Sequence, residues 1–179
     1  MSSRRLFGLV LGVAIGLWAL PAAHAGSVFV QVDGVTGGAI DPTHKGWLNA
    51  ASYSFSLTAP GPATEKVRPV FAPLKVVLYA DVGMPGLVAA HGRSATIPSL
   101  TIQVMGVAGP QGTPVFQQIK LTNARVLDLT IDGPADSSPQ IAASFTYDGI
   151  DFELRPPLPR VGEPLPLKSG YTISTGAVR

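Results

Sequence analysis

The sequence predicts an all-β domain, two antiparallel sheets forming a closed barrel with one short flanking α-helix. Three observations predict it. Stretches of strict apolar/polar alternation recur along the chain, the period of strands that bury one face. Glycine- and proline-marked turns separate them. Only one stretch, Asp81 to Gly92, carries the punctuation of a helix.

Val28, Val30 and Val32 alternate with Phe29, Gln31 and Asp33, which makes the first strand. Asp33-Gly34 and Gly37-Gly38 break that run, because glycine tolerates positive φ and lets the chain turn. Asp41-Pro42-Thr43-His44 reads as a tight turn. Proline presets φ, and the Asp41 side chain can accept from backbone N–H groups ahead of it. Trp47 to Thr58 is the clearest strand. Trp47, Ala51, Tyr53, Phe55 and Leu57 share an apolar face assigned to the core, and Ser52, Ser54, Ser56 and Thr58 share the other.

Ala59 to Ala63, with two prolines and a glycine, is a loop. Val67 to Tyr79 is extended but broken at Pro69 and Pro73, which suits short pieces or a sheet edge. In the helix, Pro85 fits the first turn, Leu87 and Ala90 fall on one side, and Gly92 can close the end. So short a helix is stable only when docked on a sheet. Thr96 to Val107 alternates through Pro98, Leu100, Ile102 and Val104. Gly109 to Gly112 is a turn, Val115 to Ile131 is a long strand, and Asp132-Gly133-Pro134 turns again. From Gln140 to Arg155 the apolar phase shifts. Ile141, Ala143, Phe145 and Tyr147 are odd-numbered, and Ile150, Phe152 and Leu154 are even. A β-bulge near Asp148-Gly149 accounts for the shift, and so does a two-residue Asp-Gly hairpin. Residues 155–168 hold five prolines and read as an arm, and Tyr171 to Ser174 as a last short strand.

Residues 1–25 stand outside this domain. Arg4-Arg5, the uncharged run Leu6 to Leu20, Pro21 and Ala23-His24-Ala25 have the order of a secretory signal peptide cut after Ala25. The run is shorter than the roughly 20 apolar residues that span a bilayer. The domain is then 26–179, with no membrane span of its own. The whole chain has 13 basic and 11 acidic residues. Removing Arg4 and Arg5 leaves 11 of each, which gives no electrostatic reason to expect nucleic acid. Charged residues are 13% of the chain, against roughly 25% in ordinary soluble proteins. Small polar residues or protein contacts must cover part of the surface. There is no cysteine, so packing or assembly supplies the stability.

The ordered set Asp33-Gly34-x-x-Gly37, Asp41, His44-x-x-Trp47, Tyr53 and Phe55 resembles the opening of the haemolysin-coregulated protein (Hcp) family, the tube subunits of type VI secretion systems. Phe71-x-Pro73-Leu74, then Asp81, Pro85, Leu87, Ala90 and Gly92, is similar to the family's strand and single helix. Phe145-x-Tyr147-x-x-Ile150-x-Phe152 resembles its last long strand, and Gly170-Tyr171-x-Ile173 its terminal Gly-Trp segment. The resemblance implies structural roles for Asp33, Gly34, Gly37, Asp41, His44, Trp47, Asp81, Pro85, Leu87 and Tyr171. Two features depart from the family. The loop between Phe55 and Val67 is short, and the leader is an addition.

Few residues invite a chemical reading. His44 and His91, without cysteine, do not make a zinc site by any spacing, and both read as structural. Ser94 near His91 lacks a nucleophile elbow. Asp151 and Glu153 share a strand face, read as solvated or at an interface. Gly34-x-x-Gly37-Gly38 lacks the lysine and helix of a phosphate loop. No catalytic residue, metal or cofactor is expected.

By resemblance the protein is a structural, non-enzymatic subunit of a homo-oligomeric, hexameric ring. It is a tube subunit or effector carrier whose partners are type VI spike, sheath and effector proteins. The shortened loop suggests rings that stack weakly. The leader places it in the periplasm or medium. The alternative is an exported Hcp-like barrel acting there as a binding module without a contractile sheath.

Overall fold

The computed structural model describes residues 26–59, 69–106, 113–133, 135–155, 166–173 and 177–178. The leader, most of the 59–63 loop, the 109–112 turn, Pro134 and residues 156–165 of the proline-rich arm lie outside the described residues.

The strands are β1 (Val28–Val32), β2 (Leu48–Ser54), β3 (Leu57–Thr58), β4 (Val70–Phe71) and β5 (Leu74–Tyr79). After α1 (Met84–Gly92) come β6 (Ile97–Met105), β7 (Val115–Asp132), β8 (Gln140–Thr146), β9 (Gly149–Leu154), β10 (Leu167–Thr172) and β11 (Ala177–Val178). Antiparallel ladders run β7-β6-β1-β2-β5-β8 and back to β7, closing a six-stranded barrel. β9, β10 and β11 extend the sheet from β7, and β3–β4 forms a separate two-stranded sheet. This is the all-β barrel with one short flanking helix that the alternation predicts.

β7 makes closure possible. Val115–Ala124 pairs with β6 on one edge, while Gln117–Thr122 pairs with β9 on the other. Beyond the corner, Arg125–Asp132 pairs with β8. Asn123 takes a left-handed φ of 51° there, a conformation asparagine tolerates better than most residues. β8 and β9 follow one another along the same partner strand and do not pair with each other. The Asp-Gly hairpin is therefore excluded. The phase shift comes from a break at Tyr147-Asp148 in a strand that keeps its direction. Tyr147 points into the core and its hydroxyl donates to the Ala72 carbonyl at 3.0 Å. Burial pushes that phenol up to about 12.

The core fills the barrel with Val30, Leu48, Leu74, Leu78, Leu100, Ile102, Leu121, Phe145 and Ile150, all essentially inaccessible. Leu87 of α1 joins them, so the helix docks by one leucine, as its short length demands. α1 packs on β7. There His91 Nδ1 donates to the Val126 carbonyl at 3.3 Å, just beyond the last residue of β7 that β6 pairs.

Three sequence expectations change. The strand predicted over Trp47–Thr58 divides into β2 and β3, and its face assignment holds only in part. Ala50 pairs with Leu78 and Ser52 with Val77, which leaves Ala51 as an extra residue. This bulge reverses the phase. Leu48 and Ala50 are buried before it, and Tyr53 and Phe55 pack on the core after it. Ala51 and Leu57 are exposed. Trp47 is half-buried and belongs to a small outer cluster with Phe29, Ala39 and Met105. Secondly, the helix ends at Gly92 as expected, but the left-handed residue that follows the helix end is not the glycine. Arg93 is the cap residue, and Ser94 takes the positive φ of 49°. Thirdly, the strand expected to open at Tyr171 starts earlier, at Leu167, because β10 pairs along the whole of β9, and it is not the last, since β11 follows and pairs with it.

Candidate functional site

The loop between β1 and β2 gathers most of the residues singled out in the sequence. β1 ends at Val32. Asp33 N–H donates to the Ser99 carbonyl, and Val35 N–H closes a turn on Val32, with Gly34 at φ 82° between them. The loop then lies back along its own return. Gly37 N–H donates to Gly46 O at 2.7 Å, and Ala39 N–H to Trp47 O at 2.9 Å. A Cβ on Gly37 would overlap the Trp47 carbonyl, so the close approach requires glycine there.

Asp41 closes the loop tip. Its Oδ1 accepts from Thr43 N (2.9 Å), Thr43 Oγ1 (2.6 Å), His44 N (3.1 Å) and His44 Nδ1 (2.8 Å). The Thr43 hydroxyl and His44 bonds hold the carboxyl down at about 2. The other imidazole nitrogen, Nε2, lies 2.7 Å from Gln103 Oε1 on β6, and Gln103 Nε2 donates to Gln118 Oε1 on β7 at 2.6 Å. Phe29 stacks on the imidazole with centroids 4.2 Å apart and 7° between planes, and Trp47 meets it edge-on at 4.9 Å. His44 is 2% exposed.

An aspartate beside a histidine invites a catalytic reading, and this geometry argues against one. Such a dyad needs a free ring nitrogen facing a nucleophile or a substrate. Here both nitrogens are spent inside the protein, and two aromatic rings pack against the imidazole. The arrangement pins the loop to the sheet. Among the described residues, no group of three or more His, Cys, Asp or Glu side chains is placed to hold a metal ion.

A second anchor ties the loop to the helix. Asp81 Oδ2 accepts from Gly38 N at 2.7 Å, and its Oδ1 accepts from Gly83 N at 2.8 Å, one residue before α1. Pro85 stands in the first turn and Leu87 is buried below it. The structure thus brings Asp33, Gly34, Gly37, Asp41, His44, Trp47, Asp81, Pro85 and Leu87 into one connected region. Tyr171 is elsewhere. Its ring packs on Phe71 at 4.5 Å, and Phe55 contacts both Phe71 (6.1 Å) and Phe152 (5.4 Å). That aromatic group fastens the β3–β4 sheet to β9 and β10.

The carboxylates of β9 face outward, beside a hollow of about 310 Å³ lined by Gln118, Lys120, Asp151, Glu153, Lys168 and Gly170. Glu153 pairs with Arg155 at 2.6 Å and Lys168 at 3.4 Å. Burial pushes its carboxyl up, but these two cations outweigh that and leave it lowered. A carboxylate so held serves the surface ladder and makes a poor general acid. The residues the sequence did not single out are Gln103, Gln118 and Phe29. Their joint role depends on cross-strand register, which places Phe29 beside Gln103 and Gln103 beside Gln118. Among the described residues no helix is long and apolar enough to cross a membrane.

Comparison with known proteins adds to this geometry. Residues 29–154 match the family model described as "Type VI secretion system effector, Hcp". No curated protein matches. Among solved structures, one described as a type six secretion system protein superposes with a TM-score of 0.75 at 19% identity, covering 87% of this chain and 100% of that one. Hcp1 from Salmonella typhimurium gives 0.71 at 16% identity, covering 87% and 99%. The secreted protein Hcp3 from Pseudomonas aeruginosa gives 0.63 at 14% identity, covering 83% and 98%. At these identities the likeness is one of fold.

Proposed function

The chain belongs to the Hcp family of the type VI secretion system, and from that premise we propose that it is the subunit of a hexameric ring that serves as tube segment and effector carrier. It is a structural protein of Hcp type. The family match across 29–154, nearly the whole barrel, carries this reading. The loop chemistry agrees with it, because the Asp41–His44 pair is consumed in holding the fold. We propose no catalytic activity, no metal and no cofactor. Asp33, Gly34, Gly37, Asp41, His44, Trp47, Asp81, Pro85, Leu87 and Tyr171 act as structural positions. Spike, sheath and effector proteins are the proposed partners.

Residues 1–25 are proposed to be a cleaved secretory leader that sends the barrel to the periplasm or medium, with 26–179 as one domain. Exposed Leu57 and Val70 of the small β3–β4 sheet and the low charge of residues 26–179 favour burial against further copies. Native mass spectrometry of residues 26–179 tests the ring. A hexamer at micromolar concentration is expected. A strict monomer at high micromolar concentration would exclude the ring and leave an exported binding module.

A further inference from the structure

We propose that the Ala25–Gly26 bond is hydrolysed only before β1 pairs, so that folding of the barrel decides whether the chain keeps its leader. The proposal rests on the reading of residues 1–25 as a secretory leader. Hydrolysis adds one water across the amide and leaves a carboxylate on Ala25 and an ammonium on Gly26. A peptidase holds its substrate extended on both sides of the scissile bond and bonds to that backbone much as an added strand would.

On the carboxyl side of this bond the folded chain has no slack. Gly26 rests against Met105, where a Cβ would overlap the carbonyl oxygen. The Ser27 carbonyl already accepts Met105 N–H at 2.9 Å. Val28, Phe29 and Val30 each lie between two neighbours. Val28 pairs with Ala50 and Val104, Phe29 with Asn49 and Gln103, and Val30 with Leu48 and Ile102. Phe29 and Val30 are buried. β1 is an interior strand of a closed barrel, so freeing it breaks a ladder on each side and opens the core around Val30. Such a segment opens at a free energy far above that of a fraying end. Sites that are nicked in folded proteins lie in exposed loop tips and loose termini instead.

The order of two events then fixes the product. A chain that crosses a membrane unfolded loses its leader and starts at Gly26. A chain that folds first, as assembly of rings before export requires, keeps it. One sequence yields two products.

The test compares three samples incubated with leader peptidase in detergent micelles. They are the folded full-length chain, the same chain diluted from denaturant directly into the peptidase, and a folded variant with a flexible spacer of about ten Gly and Ser residues inserted after Gly26. Intact mass and N-terminal sequencing read the products. Cleavage after Ala25 is expected in the second and third samples. In the first it is expected to be slower by about a hundredfold or more, because it waits on opening of the strand. If the folded full-length chain is cut as fast as the spacer variant, occlusion is overturned and the leader reading stands. If no sample is cut after Ala25, the leader reading fails, and the proposal with it.

Discussion

Asp41 Oδ1 is the acceptor on which the β1–β2 loop closes, and its titration carries a pH signature. Its carboxyl is lowered from 3.8 to about 2 by the Thr43 hydroxyl, then by His44. A depressed carboxylate contributes stability that is fully present above its ordinary value and is lost as pH falls through the folded one. The loop is therefore expected to loosen between about pH 4 and about pH 2. Trp47, edge-on to His44, is the only tryptophan of residues 26–179 and reports the change. Its fluorescence should shift across that window in the native domain and stay flat in Asp41→Asn, whose amide cannot titrate. An identical acid transition in both would assign the change to other groups. The Asp-Pro-Thr-His turn was legible because proline and aspartate act locally. The role of Trp47 was not, because alternation alone put it in the barrel core. Gln103 and Gln118 looked like any outward polar residues. Only the register that sets them beside His44 reveals the chain of bonds.

Among the elements, β2 shows how a regular pattern conceals an irregular strand. Its alternation reads unbroken from Ala51 to Thr58, yet Ala51 has no partner on β5. A one-residue slip exchanges the faces of everything beyond it. Because Ala51 is the unpaired residue, deleting it would only regularise the strand, whereas inserting a second alanine after it should place Ser52 and Ser54 where Tyr53 and Phe55 pack, and should abolish the native fold. Ala51→Ser, on an exposed residue, should change stability by no more than about 0.5 kcal/mol. Urea melts of the insertion variant and Ala51→Ser separate these outcomes, and an insertion variant as stable as its parent would mean that the register beyond the bulge is not specified. For the β8–β9 pair the sequence fared better. The odd-to-even phase change was visible, and what it lacked was the partner strand that excludes a hairpin. In α1, Pro85 and Leu87 sufficed to place the helix, while the left-handed residue fell at Ser94, where no glycine advertised it.

At the scale of the whole molecule, few charges and many ladders describe the surface. Residues 26–179 carry 11 basic and 11 acidic side chains. The ion pairs of Glu153 join cations 58% and 66% exposed, the kind of pair that contributes little. An assembly of such chains should be held by packing and backbone bonds. Sedimentation velocity is thus expected to give the same oligomer in dilute buffer and at 1 M salt, where the Debye length falls to about 3 Å. Dissociation at high salt would point to a charge-held interface instead. The barrel was legible as a class, since alternation and one helix leave few alternatives, but the closure was not. Closure depends on an 18-residue β7 that turns a corner at Asn123 and exchanges neighbours there. That topology has a mechanical consequence. Tension applied at the C-terminus meets β11 and then β10 at the open edge of the sheet, and peels them one bond at a time. Tension applied at the N-terminus pulls β1 lengthwise between β2 and β6, where the bonds of two ladders share the load and must yield together. The molecule is compliant at one end and stiff at the other, so a tether to cargo or to a neighbour at the tail would give way long before the barrel did.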